Sequence, residues 1–345
     1  MTTPPLRLPL SLDGLDAAWL QRALAIAHPG TQVDAVRHAR VLGGSLTKVE
    51  LEVDYGSNPH HVPSSLYVKA AFEDHGIPVS MRSEALFYAV VRPLIDVNAP
   101  QCFYAEADGQ DGIVVMANLV AQGCTITDPV QPWSPSKVAD GLAQLAGLHA
   151  GWWGEGRVPD IPVLDGANAL GAVLMAEGYW EMCVDGPTGQ RVPARFRDRE
   201  QMRPRIQALW ALDHEWPRCF LHGDAHLGNT YVDGDGRPGF LDWGGVTSGH
   251  WAREVCYFLA GALSVDDRRH HEETLLAGYL DALAELGVAD APGWDAAWLS
   301  YRRHMIHGLL WFLCPTQMQP VEVIDANVAR FAAAAEDHAV DTLFS

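Results

Sequence analysis

A chain of 345 residues, 48% apolar and 19% charged, has the length and composition of a folded globular protein of one large or two modest domains, not of a disordered segment. A formal net charge of −19 argues against nucleic acid or an anionic membrane surface as a partner. The six cysteines form no C-x-x-C pair, which excludes the usual zinc and disulfide frameworks and suits buried thiols in a reducing compartment. The start carries Pro4, Pro5 and Pro9 without a sustained apolar core, and no window approaches the ~18 apolar residues of a spanning helix, so the expectation is a soluble, cytoplasmic protein.

Apolar spacing predicts an amphipathic helix over Asp16 to Ala27, then β-like runs from Gln32 to Leu42 and from Thr47 to Tyr55 on either side of Gly43-Gly44-Ser45. After a polar loop, Leu66 to Phe72 reads as a third strand that holds one charged residue, Lys69. A helix from Arg82 to Val91, stopping near Pro93, carries Glu84. Ala99 to Ala107 and Gly112 to Met116 are two further strands joined by a turn at Asp108-Gly109-Gln110-Asp111.

After Met116 the character becomes helical. Helices are expected at Ala139 to His149, Ala167 to Met182, Ala194 to Leu212, Trp251 to Leu263, His270 to Leu286, Trp294 to Leu313 and Val321 to Leu343. The change implies a boundary at 117/118, with a hinge near Ala117 to Val120, and ligand sites favour the crevice between two such parts.

The most informative run is Leu221-His222-Gly223-Asp224-Ala225-His226-Leu227-Gly228-Asn229, with Asp242 following in Phe240-Leu241-Asp242-Trp243-Gly244. Thr230 to Val232, a turn over Asp233–Gly239 and Phe240 to Asp242 read as a hairpin that returns Asp242 to the loop of Asp224. A carboxylate, a carboxamide and a second carboxylate are what Mg²⁺-assisted phosphoryl transfer needs: a positioned base and fixed oxygen ligands.

The ordered set His222-Gly223-Asp224, Asn229 and Leu241-Asp242-Trp243 resembles the aminoglycoside phosphotransferase and choline kinase-like superfamily, small-molecule relatives of protein kinases. The resemblance implies an α+β, two-lobed protein kinase-like fold: a small β-rich N-terminal lobe (1–117) that binds nucleotide, and a larger, mainly helical lobe (118–345) that holds the catalytic loop and acceptor. It makes Asp224 the catalytic base, Asn229 and Asp242 the Mg²⁺ ligands, and His226 a neighbour of the transferred phosphate, with His222 bracing the backbone. ATP is the implied phosphoryl donor. Gly43, Gly44 and Ser45 would bring backbone N–H groups to its phosphates, Lys69 would reach them with Glu84 aiming it, and the backbone around Met116 and Asn118 would grip the adenine. Ala117 and Asn118 stand where many relatives have an acidic residue, which leaves ATP against GTP open.

Each residue also has a plainer reading. Gly43-Gly44-Ser45 alone is a tight turn, Lys69 a snorkelling edge lysine and Glu84 a first-turn glutamate favoured by the helix dipole. The alternation His222-x-Asp224-x-His226 also matches ligands of a metal-dependent phosphoesterase, and a non-catalytic nucleotide-binding relative is a further alternative. Asp233-Gly234-Asp235-Gly236 lacks the downstream Glu of a calcium loop and fits a hairpin turn; His149 reads as structural. The acceptor, a small hydroxylated molecule, is not legible. Trp152, Trp153, Trp251 and Tyr301 to Trp311 offer aromatic faces to a cation, whereas Arg302, Arg303, His304 and His307 suit an anion.

Overall fold

The computed structural model describes residues 6–9, 11–42, 46–70, 72, 81–154, 175–215 and 217–344, with the backbone alone for 212–215. Gly43, Gly44 and Ser45, and the first part of the helix expected from Ala167, lie outside the described residues. The chain is α+β, with a β-sheet N-terminal part and a helical C-terminal part. It divides into two compact units: Met1–Leu94 with Ala99–Thr125 and Leu241–Gly245, and Ile95–Asn98 with Ile126–Phe240 and Val246–Ser345.

The first unit is built on an antiparallel sheet of β1 (Gln32–Leu42), β2 (Thr47–Ser57), β3 (Ser65–Ala70), β4 (Cys102–Asp108) and β5 (Asp111–Ala117), in the order β1-β2-β3-β5-β4. Alternation sends Val49, Leu51, Leu66, Val68, Ile113 and Val115 to one face, where they pack with Leu20, Ala23 and Leu24 of the helix Ala17–Ala27. Asp16 caps that helix by accepting the Trp19 N–H at 2.7 Å, an interaction worth about 1 kcal/mol. Lys69 lies between Val68 and Ala70 on β3, so its side chain leaves on the other face, toward the helix Arg82–Leu86. That helix comes so close to β5 that a Cβ on Gly112 would meet the Met81 carbonyl oxygen at 2.8 Å. The helix reaches Val91 as expected, with its last turn widened: Phe87–Val91 is a single π-turn, and Pro93 lies in a short 3₁₀ turn, Arg92–Leu94.

In the second unit, the fully buried helix Trp251–Ala262 packs with helices Pro135–Gly151, Val265–Glu285, Trp294–Arg303, Met305–Trp311 and Val321–Asp337. Several helix boundaries differ from the periodic reading: the helix expected from Ala139 begins at Pro135, the described part of the one expected to end at Met182 is Glu177–Cys183, and the one expected over Ala194 to Leu212 runs Arg199–Glu215. Ser264 caps the helix from Val265, ahead of the expected His270, by accepting the Asp267 N–H at 3.0 Å. The expected run Trp294 to Leu313 is two helices, parted at His304, whose ring engages the Ser300 carbonyl at 2.7 Å. The last helix ends at Asp337 because Ala339 is left-handed, with φ 45°. Cys219–Leu221 pairs with Thr247–Gly249, and Thr230–Val232 pairs with Pro238–Phe240 as the expected hairpin. In its turn Asp233 accepts from the Asp235 and Arg237 N–H groups, a hairpin tip and not a cation loop. The residues between Leu221 and Thr230 are thereby held at both ends by paired backbone.

Candidate active site

In the first unit three residues remote in sequence meet. Lys69 Nζ lies 2.6 Å from Glu84 Oε2 and 2.5 Å from Asp242 Oδ1. Lys69 and Glu84 are buried, while the Asp242 side chain is 36% exposed. Burial works against the Lys69 charge, but the two carboxylates overcome it and raise the ammonium above its ordinary range, so Lys69 is a fixed cation. Glu84 goes the other way: burial raises its carboxyl, and Lys69 only partly offsets that. Asp242 has a left-handed backbone, φ 63°, uncommon for a residue with a side chain. Trp243, next in the chain, stacks flat on Phe87 with ring centroids 3.8 Å apart, which anchors the strained residue to the π-turn beyond Glu84.

Met116 is buried on β5, paired with Tyr67 and Cys102. The backbone after it is already engaged: the Ala117 N–H donates to the Gln101 carbonyl at 2.9 Å and the Asn118 N–H to the Ser65 carbonyl at 3.4 Å. The Asn118 amide also donates to Ser65 Oγ at 3.1 Å, so this side chain ties the end of β5 to the start of β3.

In the second unit the run from His222 folds around one carboxylate. Gly223 is left-handed, φ 85°, a conformation glycine adopts without the Cβ penalty. Its N–H donates to Glu254 Oε1 at 2.7 Å, and the His222 N–H donates to Glu254 Oε2 at 3.2 Å. His222 Nδ1 accepts the Asp224 N–H at 3.2 Å, which is the bracing role expected of it. Glu254 also meets His149 Nε2 at 2.8 Å, and His149 Nδ1 meets the Tyr279 hydroxyl at 2.7 Å, so His149 is structural. Burial opposes the Glu254 charge, yet these donors hold its carboxyl below the ordinary range.

Asp224 thus projects from a backbone pinned on a buried anion. Its Oδ1 accepts from the Tyr257 hydroxyl and from Trp311 Nε1, each at 3.3 Å. Its Oδ2 accepts from Asn229 Nδ2 at 3.0 Å, and the same nitrogen donates to the Asp224 carbonyl at 2.9 Å. With the nitrogen so placed, the Asn229 carbonyl oxygen is turned away from Asp224 and has the chemistry of a hard-cation ligand. His226 Nδ1 accepts the Gly228 N–H at 3.0 Å, so the neutral ring carries its proton on Nε2, which lies 3.7 Å from Asp224 Oδ2. Burial and the neighbouring Asp224 charge push the Tyr257 phenol well above its usual value, so it stays a donor.

The aromatic acceptor candidates separate. Trp251 is core, stacked on Tyr279 and His250; Tyr301 is buried against Glu272, and Arg303 is spent on the Leu343 carbonyl. Trp311 reaches Asp224, and His307 lies against it with ring centroids 5.2 Å apart. Glu254, Tyr257 and Tyr279 were absent from the sequence reading, although the charged pair Arg253-Glu254 in the largely apolar helix Trp251–Ala262 was a signal for Glu254.

The sequence model of the phosphotransferase enzyme family matches residues 184–297, the segment that contains Asp224, Asn229, Asp242 and Glu254. A search of curated proteins finds no match. Among solved structures, a choline kinase from Cryptosporidium parvum superposes with a TM-score of 0.56 at 10% identity, over 87% of this chain and 88% of that one. An ethanolamine kinase from Plasmodium vivax does so with a TM-score of 0.51 at 10% identity, over 87% of this chain and 81% of that one. The chain shares the fold of these two kinases. The resemblance to the phosphotransferase family is supported by the family match over 184–297, and the expected two-part α+β fold by the two structures. Among the described residues no helix is long and apolar enough to cross a membrane.

Proposed function

We propose that the protein is an ATP- and Mg²⁺-dependent O-phosphotransferase acting on a small hydroxylated molecule. The coupling of Asp224 to Asn229 carries the reading: one amide nitrogen fixes the carboxylate of a base and turns the amide oxygen of a metal ligand away from it. In this reading Asp224 accepts a hydrogen bond from the acceptor hydroxyl and takes its proton as the new O–P bond forms and the bond to ADP breaks. His226, protonated on Nε2, donates toward the oxygens of the transferred group.

The sheet unit takes the nucleotide. Lys69, a cation pre-oriented by Glu84 and Asp242, meets the phosphates. Gly43, Gly44 and Ser45 would cover the phosphates, and the β5 end at Met116 and Asn118 would take the base by packing against it, since the Ala117 and Asn118 N–H groups are already bonded to Gln101 and Ser65. Asn229 and Asp242 carry side-chain oxygens of the kind that suit Mg²⁺; they would hold it, and it would neutralise the developing charge. Among the described residues no group of three His, Cys, Asp or Glu side chains is set to hold a metal. His222 and His226 both spend Nδ1 on backbone N–H groups, which disfavours a phosphoesterase that uses them as paired ligands. A cytoplasmic setting, where ATP is abundant, belongs to the same reading.

An ADP-release screen against a broad panel of alcohols and amino alcohols, with Asp224→Asn as the blank, tests the proposal. The expected result is Mg²⁺-dependent ADP release with at least one acceptor, reduced about 10³-fold or more in the variant, which should still gain heat protection from Mg-ATP. Phosphate-ester hydrolysis without nucleotide would overturn it. Nucleotide protection with no turnover across the panel would instead favour the non-catalytic relative.

A further inference from the structure

The side chain of Asp224 turns about a soft torsion: the carboxylate plane has broad preferences and rotates readily unless both oxygens are engaged. Asn229 engages Oδ2 from within the loop. Oδ1 is engaged from outside it, by Tyr257 on helix Trp251–Ala262 and by Trp311 at the end of helix Met305–Trp311. These two donors are neutral, come from separate elements, and converge on one oxygen. The Tyr257 ring is held by Phe312 and Phe331, with centroids 4.9 and 6.0 Å away, and Trp311 by His307.

We propose that Trp311, with Tyr257, is a positioning residue that locks the Asp224 carboxylate plane so that Oδ2, the oxygen beside His226, receives the acceptor proton. The inference rests on the kinase reading of Asp224. It differs from the aromatic-box reading of Trp311, in which the indole face contacts the acceptor directly. Oδ1 has both in-plane lone pairs taken, whereas Oδ2 has one hydrogen bond and His226 Nε2 at 3.7 Å. A hydroxyl entering beside His226 donates to Oδ2, its oxygen attacks phosphorus, its proton passes to Oδ2, and the electron pair of the cleaved bond leaves with ADP. Without the indole N–H the carboxylate rocks, and the hydroxyl is less often aligned for attack.

Trp311→Phe keeps a ring and removes the donor. With an acceptor found in the screen, kcat should fall about tenfold while KM stays within about twofold, the pattern of an interaction that matters in the transition state. Tyr257→Phe should act in the same direction. A second readout needs no turnover: the indole ¹H–¹⁵N signal missing in Trp311→Phe identifies Trp311, and in Asp224→Ala that signal should move upfield as its acceptor is lost. An unmoved indole signal overturns the proposal, and so does a rise in KM with kcat unchanged in Trp311→Phe. Full turnover in Asp224→Ala together with a shifted indole signal would sink the kinase reading instead, so the two failures are distinct.

Discussion

Lys69 is held by charge, between Glu84 at 2.6 Å and Asp242 at 2.5 Å, and most of the cluster is out of water. Asp224 is held by neutral donors, Tyr257, Trp311 and Asn229, while the anion that organises its loop, Glu254, is buried one layer below. The first arrangement fixes a cation rigidly, but each partner depends on the others to be tolerated in a low dielectric. The second leaves the carboxylate partly exposed. The duties proposed for the two residues would differ in the same way: a phosphate-binding lysine must keep its charge, whereas a base must change its own.

Removing Lys69 is the harshest way to break this comparison. Lys69→Ala leaves Glu84 buried beside Asp242 with no cation, and should cost about 3–5 kcal/mol in urea denaturation, together with all heat protection by Mg-ATP. A loss below about 1 kcal/mol would mean the cluster is not charge-held. Asp242→Ala should cost less stability, since its carboxylate is 36% exposed, yet it too should abolish Mg-dependent protection. Next comes Glu254→Gln. A carboxamide turns a donor toward the backbone N–H groups of His222 and Gly223, so about 2 kcal/mol should be lost. The value of kcat should fall as well, although residue 254 touches neither Asp224 carboxylate oxygen.

Strands β1, β2 and β5 begin and end within two residues of the sequence reading: β2 alternates between buried and half-buried residues, whereas β5 is a short apolar run buried from Gly112 to Ala117 and bounded by turn residues. The start at Asp16 was legible because apolar residues follow the cap at once; the starts capped by Ser134 and Ser264 were missed because their first turns are largely polar, and other ends because a tertiary contact decides. The break at His304 depends on a ring that both engages the Ser300 carbonyl and stacks on His250, and periodicity carries no trace of that. The site divides the same way. Asp224 and Asn229 share one short loop, so their spacing is itself the geometry. Trp311 and Tyr257 come from helices whose aromatic residues read as core, and only the packing shows which of them turns a polar edge to Asp224.

Phe87→Leu asks how far the charge-held region needs its neutral support. The stack on Trp243 should be worth about 1 kcal/mol beyond area burial, so stability falls modestly. The sharper expected outcome is weaker Mg-ATP protection, because the stack anchors the residue that follows the left-handed Asp242. Unchanged protection would show that the stack does not orient Asp242.

The smallest effects lie in the pH dependence, where the two regions have opposite limbs. Glu254 is depressed in the fold, so its contribution is present above its ordinary 4.5 and is lost as pH falls through the depressed value. Lys69 is raised, so its contribution is present below 10.5 and is lost as pH climbs through the raised value. Glu84 is raised by burial and, taken alone, favours the fold as it protonates, which blunts the acid limb without reversing it. Between pH 6 and pH 3, Glu254→Gln should therefore lose less thermal stability than the parent, by about 2 °C. Lys69→Arg, charged to higher pH, should flatten the alkaline limb and leave the acid limb alone. If both substitutions altered the same limb, the two regions would be electrostatically one, and the contrast between a charge-held and a donor-held carboxylate would fail.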